Sequence, residues 1–182
     1  HGLFSAPDRF NNLINDFRLT KQPWQVWTYA YPASQDFERD AQQLADLLEQ
    51  HQKEYDEITI IGHSLGGLIS QEAVHRADVA KKIDSSQYSF LPKVKKIIIA
   101  GSPNKGSPAI EIYKNFENFI INSNSSIGKP FIINSSIVQI LTNGIEIPRV
   151  KGVSYIAVAG TKSFPFNEYY FLTPKRTPND GI

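Results

Sequence analysis

The sequence predicts an α/β fold with a mostly parallel central sheet and helices on both faces. Two observations carry this expectation. Short apolar, β-branched runs alternate along the chain with longer segments of helical periodicity, the pattern of βαβ units. The runs themselves, Ile58 to Ile61 and Val94 to Ala100, are near-continuous in apolar residues, as strands buried on both faces are.

Each element follows in order. Trp24 to Tyr29 is rich in aromatics and β-formers and reads as a strand closed by Pro32. Asp36 to about Gln52 reads as an amphipathic helix with Phe37, Ala41, Leu44 and Leu48 on one face. Ser34 or Asp36 can cap it, and Asp36, Asp40 and Asp46 read as its solvated face. Ile58 to Ile61 is a strand, Leu65 to about Ala77 a helix, and Val94 to Ala100 a strand ending at Gly101-Ser102-Pro103. Val153 to Ala159 is a further strand ending at Gly160.

Residues 104–148 interrupt the alternation inside a single domain spanning 1–182. Ile112, Phe116, Phe119 and Ile120 share a helical face within Ile110 to Ile121. A polar linker, Asn122 to Gly128, follows, and then a short helix from Asn134 to Asn143, stopped by Gly144. Ligands of parallel sheets bind at the carboxyl ends of the strands. His1-Gly2, Ser64, Ser102-Pro103 and the residues after Gly160 are expected to gather there.

Bulk properties narrow the function. The 182 residues carry a net charge of +1, so overall charge gives no attraction to nucleic acid or membrane. The basic run Lys93 to Lys96 reads as a solvated strand edge. No stretch approaches the roughly 20 apolar residues that span a bilayer. There is no cysteine, which removes disulfides, thiol catalysis and Cys-ligated metals. That composition is compatible with the cytoplasm, and it does not exclude secretion. The four histidines show no metal-ligand spacing, so neither a metal nor a cofactor is expected.

The segment Gly62-His63-Ser64-Leu65-Gly66-Gly67 contains Gly-x-Ser-x-Gly between the Ile58 strand and the Leu65 helix. A Gly-rich turn without chemistry would also fit those residues alone. The strand before and the helix after favour a nucleophile, because the sharp turn strains the Ser backbone and projects its hydroxyl from the sheet. Gly62 and Gly66 leave room for the bend, and Gly67 lets the helix approach the strand. His63 reads as packing or lining the substrate site.

These residues resemble the lipases and serine esterases of the α/β-hydrolase fold, including the GPI-inositol-deacylase-like group. His1-Gly2-Leu3 looks like their oxyanion loop and Gly62 to Gly67 like their nucleophile elbow. Gly101-Ser102-Pro103-Asn104-Lys105-Gly106-Ser107 resembles their Gly-Thr-Pro-x-x-Gly-Ser loop, with Ser102 for the commoner Thr and Asn104 where many have His. Asn179-Asp180-Gly181-Ile182 resembles the segment that bears the catalytic acid. The resemblance implies that Ser64 attacks a carboxylic ester, lipid-like in character, and forms an acyl-enzyme. It implies an oxyanion hole from the backbone N–H groups of Leu3 and Leu65, and Asp180 as the acid. Ser102 and Pro103 would line the substrate site with His63. The insertion would be a cap or lid over an acyl pocket, touching a lipid surface transiently, or simply a helical excursion packed on the sheet. No obligate protein partner and no nucleic acid is implied. Thioester hydrolysis, acyl transfer and amide cleavage share this machinery and stay open, as does a non-catalytic binding module.

The order of the triad in this fold is Ser, acid, His. The His is therefore expected beyond Ile182, in a parent longer at both ends. His75 lies on the helix of Ser64, about 16 Å further along its axis at 1.5 Å per residue, and His51 ends another helix. The chain 1–182 is expected to be nearly inactive, since loss of a triad His costs on the order of 10⁶ in turnover. Ester hydrolysis by residues 1–182, set beside the parent protein, checks this. Comparable rates would contradict the triad order.

Overall fold

The computed structural model describes residues 1–3, 6–32, 36–107 and 135–159. Three strands, β1 (Ile58–His63), β2 (Val94–Ala100) and β3 (Ser154–Val158), lie side by side in that order. Both pairings are parallel. His63 pairs with Ala100 and Ala100 with Val158, so the three strands end on one row. The ladder continues one step further. Ser64 N–H donates to Ala100 O at 2.8 Å, and Gly101 N–H to Val158 O at 3.0 Å.

The described helices are α1 (Asn11–Leu19), α2 (Phe37–Gln50), α3 (Leu65–Ile83) and α4 (Ser135–Asn143). Asp36 caps α2, accepting from the N–H groups of Glu38 at 3.0 Å and Arg39 at 3.2 Å. α3 outruns its expected end at Ala77 by nearly two turns. Lys81 and Lys82 in its last turn suit the negative end of the helix dipole. Gly144 closes α4 at φ 82°, its N–H bonded to Ile140 O at 2.8 Å.

The core lies between the sheet and the α2–α3 pair. Phe37, Ala41, Leu44 and Ala45 of α2, six apolar residues of α3 from Leu65 to Ala77, and Val94, Ile97 and Ile99 of β2 are all buried in it. Ile137 and Leu141 of α4 join the same core. Arg76 of α3 reaches Glu72 at 2.7 Å and Glu38 of α2 at 3.0 Å, a surface link across the helix pair.

Several expectations need correction. Trp24 to Tyr29 does not pair into the sheet among the described residues. β-propensity supplies side chains for a strand, but the ladder needs a neighbouring strand. Instead Trp27 sets its ring edge-on to His51 at 4.8 Å and to Tyr55 at 6.1 Å. Burial on both faces fails at β3, where Ile156 and Val158 share one face of the sheet and are both exposed. Lys93 is no solvated strand edge. It lies in a short 3-10 turn, and its ammonium donates to the backbone oxygens of Gln52 and Tyr55. α1, which exposes its whole surface in part or in full, was not foreseen. The helix expected over 110–121, the linker over 122–128, Ser34 and the residues after Ala159 lie outside the described residues.

Asp40 is the sharpest correction. It was expected on a solvated face, yet it is fully buried, and neither carboxyl oxygen has a hydrogen-bond partner among the described residues. Tyr29 O–H donates to its backbone oxygen at 2.9 Å, leaving the carboxyl unserved. Burial first, then the charge of Asp36, raises the Asp40 carboxyl to about 6, against a partial offset from Arg39. A carboxyl that binds its proton more tightly when folded costs stability as the pH rises from about 4 through 6, and costs nothing below that window. Asp40→Asn is expected to raise the melting temperature by about 2–4 °C at pH 7.5 and to lose that gain by pH 4. Thermal melts at the two pH values check it. An Asn variant less stable than the parent at pH 7.5 would mean that the carboxylate is satisfied.

Candidate active site

The row of strand ends places Ser64 between β1 and α3, at φ 54° and ψ −124°. A side chain at positive φ is strained here, and the surrounding packing holds it there. Ser64 occupies the cap position of α3, but its hydroxyl makes no capping bond. The hydroxyl is thus left free of the role a Ser usually plays at that position. The residue is 6% exposed, at the positive end of a helix of 19 residues.

Three close approaches at glycines build the turn. A Cβ on Gly62 would lie 2.5 Å from the Gly67 Cα, so β1 and the first turn of α3 meet main chain to main chain. A Cβ on Gly66 would lie 2.5 Å from the His1 carbonyl oxygen. A Cβ on Gly2 would lie 2.8 Å from the Ser64 Cβ and 3.2 Å from both Ser64 Oγ and His63 Nδ1. The His1–Leu3 segment is therefore pressed against the turn from outside, with no side chain between.

The third wall is the loop after β2. The Ser102 hydroxyl fills the notch that Gly67 leaves, buried and with no hydrogen-bond partner among the described residues. Pro103 beside it is buried. Asn104 exchanges two amide bonds with Gln71 of α3, at 3.1 and 3.3 Å, and Gln71 also donates to Gly67 O at 3.0 Å. Backbone bonds from Ser107 to Leu141 O (2.8 Å) and from Ile145 to Asn104 O (3.0 Å) tie this loop to α4.

The structure thus brings together Leu3, His63, Ser64, Leu65, Ser102 and the flanking Pro103. Asp180 lies outside the described residues. His51 is engaged elsewhere, with its Nδ1 2.7 Å from Glu54 Oε1. No cluster of possible metal ligands occurs among the described residues.

One participant was missed in the sequence. Tyr31, 8% exposed, stacks its ring on the His1 ring at 4.2 Å and 10°, and its hydroxyl donates to the His1 carbonyl. Burial first, and Asp40 next, push the Tyr31 phenol well above its ordinary range, so it stays a protonated donor. An aromatic directly before Pro32 was the one local sign of a fixed position.

Two solved structures share this architecture, a parallel sheet with helices on both sides. The Bacillus licheniformis lipase BlEst2 in mature form matches with a TM-score of 0.56 at 17% identity, over 92% of this chain and 66% of that one. The same lipase in its propeptide form matches with a TM-score of 0.63 at 18% identity, over 100% of this chain and 40% of that one. The chain thus spans less than two thirds of the length of either structure. No curated protein matches it in sequence. Residues 35–163 match the model of the PGAP1-like alpha/beta domain. The chain belongs to that family of PGAP1-like alpha/beta domains, with the α/β-hydrolase fold of lipases.

Proposed function

We propose that this domain is a serine hydrolase that cleaves carboxylic esters of lipid-like character. The observation that carries the reading is Ser64 itself: a strained residue at a strand-to-helix turn, with its hydroxyl unused in capping, beyond the ends of three parallel strands. In this reading Ser64 Oγ attacks the ester carbonyl and forms an acyl-enzyme that water then hydrolyses. A histidine following Asp180 in sequence takes the Ser64 proton and delivers it to the leaving alcohol, and Asp180 orients that histidine. The backbone N–H groups of Leu65 and Leu3 receive the developing oxyanion. Leu65 is the first residue of α3, so its N–H is one that the helix itself leaves unpaired.

His63, Ser102 and Pro103 line the substrate site, and the loop after β2 is braced beside it by α4. α4 is itself anchored, because Ile137 and Leu141 are buried in the main core. No metal and no cofactor takes part in this chemistry.

The test is labelling of the full-length protein by an alkyl fluorophosphonate, with hydrolysis of p-nitrophenyl esters measured alongside. The wild type is expected to label on Ser64, and Ser64→Ala to lose labelling and about 10⁶ in turnover. An unlabelled wild type would favour a binding module on the same fold. A second variant probes the oxyanion loop. Gly66→Ala places a methyl against the His1 carbonyl and must displace one or the other. Turnover is expected to fall on the order of 100-fold, the size of effect that follows from a shift of about 1 Å. Wild-type turnover by Gly66→Ala would contradict an oxyanion role for the segment.

A further inference from the structure

We propose that Tyr31 is a positioning residue that holds the His1–Leu3 backbone in the conformation the reaction needs. The inference rests on the hydrolase reading above and adds a residue to it.

His1 C=O and Gly2 N–H belong to one rigid unit. Tyr31 O–H donates to that carbonyl, and the Tyr31 ring stacks on the His1 side chain, so His1 is held at two points, backbone and ring, by one side chain. Gly66 bounds the same carbonyl from the helix side. Between this fixed plane and the Leu3 N–H stand the two backbone dihedrals of Gly2. Glycine would ordinarily leave them loose. Ser64 and His63 fill the space where a Gly2 side chain would be, so the residue must be glycine, and the Gly2 carbonyl is met by His1 Nδ1 at 3.1 Å. Gly2 C=O and Leu3 N–H share one peptide plane, so the direction of the Leu3 amide is set by the His1 ring, which Tyr31 holds by stacking.

Tyr31 is itself held. Tyr29 stacks on it at 5.4 Å and 24°, and the Tyr29 hydroxyl anchors to the Asp40 backbone oxygen of α2. The chain of contacts runs from α2 through Tyr29 and Tyr31 to His1. Tyr31 touches no reacting atom in this account. It acts through the backbone it orients.

The test compares Tyr31→Phe with Tyr29→Phe in the full-length protein, at a temperature where circular dichroism shows both folded. Tyr31→Phe keeps the ring stack and removes the donor. It is expected to lower kcat about tenfold or more, with KM within about twofold. Inhibition by an alkyl boronic acid, which mimics the tetrahedral state, is expected to weaken in parallel. Tyr29→Phe keeps the ring that stacks on Tyr31 and loses only the outer anchor on α2, so it is expected to lower kcat far less, by about twofold at most. 4-aminophenylalanine in place of Tyr31 restores a donor on the same ring and is expected to recover most of the loss. It also carries the comparison should Tyr31→Phe melt too early. An unchanged kcat in Tyr31→Phe, or an equal loss in Tyr29→Phe, overturns the positioning role while leaving the hydrolase reading intact. A wild type that neither labels with fluorophosphonate nor hydrolyses esters overturns the hydrolase reading and this inference with it.

Discussion

The turn at Ser64 is the constraint on which the rest of the site depends. A residue with a side chain sits at φ 54° because β1 must reverse into α3 within a single residue. Such a conformation costs on the order of 1–3 kcal/mol and persists where its surroundings over-determine it. Here they do. The Ser64 amide continues the sheet ladder to Ala100, its carbonyl accepts from Gly67, and Gly62 meets Gly67 with no room for a side chain. Each of these contacts would be lost if Ser64 relaxed. The strain and the packing are two descriptions of one arrangement, and what it delivers is a hydroxyl at the positive end of a long helix.

The sheet supplies the second ingredient. Because β1, β2 and β3 end in one row, three chain segments leave the sheet at the same level. The loop after β2 is then free to pack Ser102 against α3 and to tie α3 to α4 through Asn104. The His1–Leu3 segment closes the opposite side. Its His1 carbonyl meets the Gly66 backbone, and Gly2 lies against the Ser64 and His63 side chains, so main chain with no side chain of its own faces the Ser64 hydroxyl. Tyr31 extends this logic outward to α2.

Local features of the chain were legible in its sequence, and non-local ones were not. Asp36 as a cap, Gly144 as a stop and the β-branched runs of β1 and β2 all express preferences of a few neighbouring residues. The Gly62 to Gly67 turn is legible for the same reason. Trp24 to Tyr29 carries the composition of a strand, but a strand is made by its partner, and no composition announces one. Asp40 looked like a surface carboxylate because helical spacing gives a face and not its burial. The Tyr31–His1 contact joins positions 30 residues apart and left no periodic trace. The loops that complete the site are therefore harder to read than the turn at its centre, although the chemistry needs both.

The most direct measurement is a crystal structure of the full-length protein after reaction with an alkyl fluorophosphonate. The account predicts a phosphonyl group on Ser64 Oγ, with its oxygen about 2.7–3.1 Å from the amide nitrogens of Leu3 and Leu65. It also predicts the Tyr31 hydroxyl still on the His1 carbonyl. An adduct on another residue, or a phosphonyl oxygen turned to solvent away from those two amides, would contradict it.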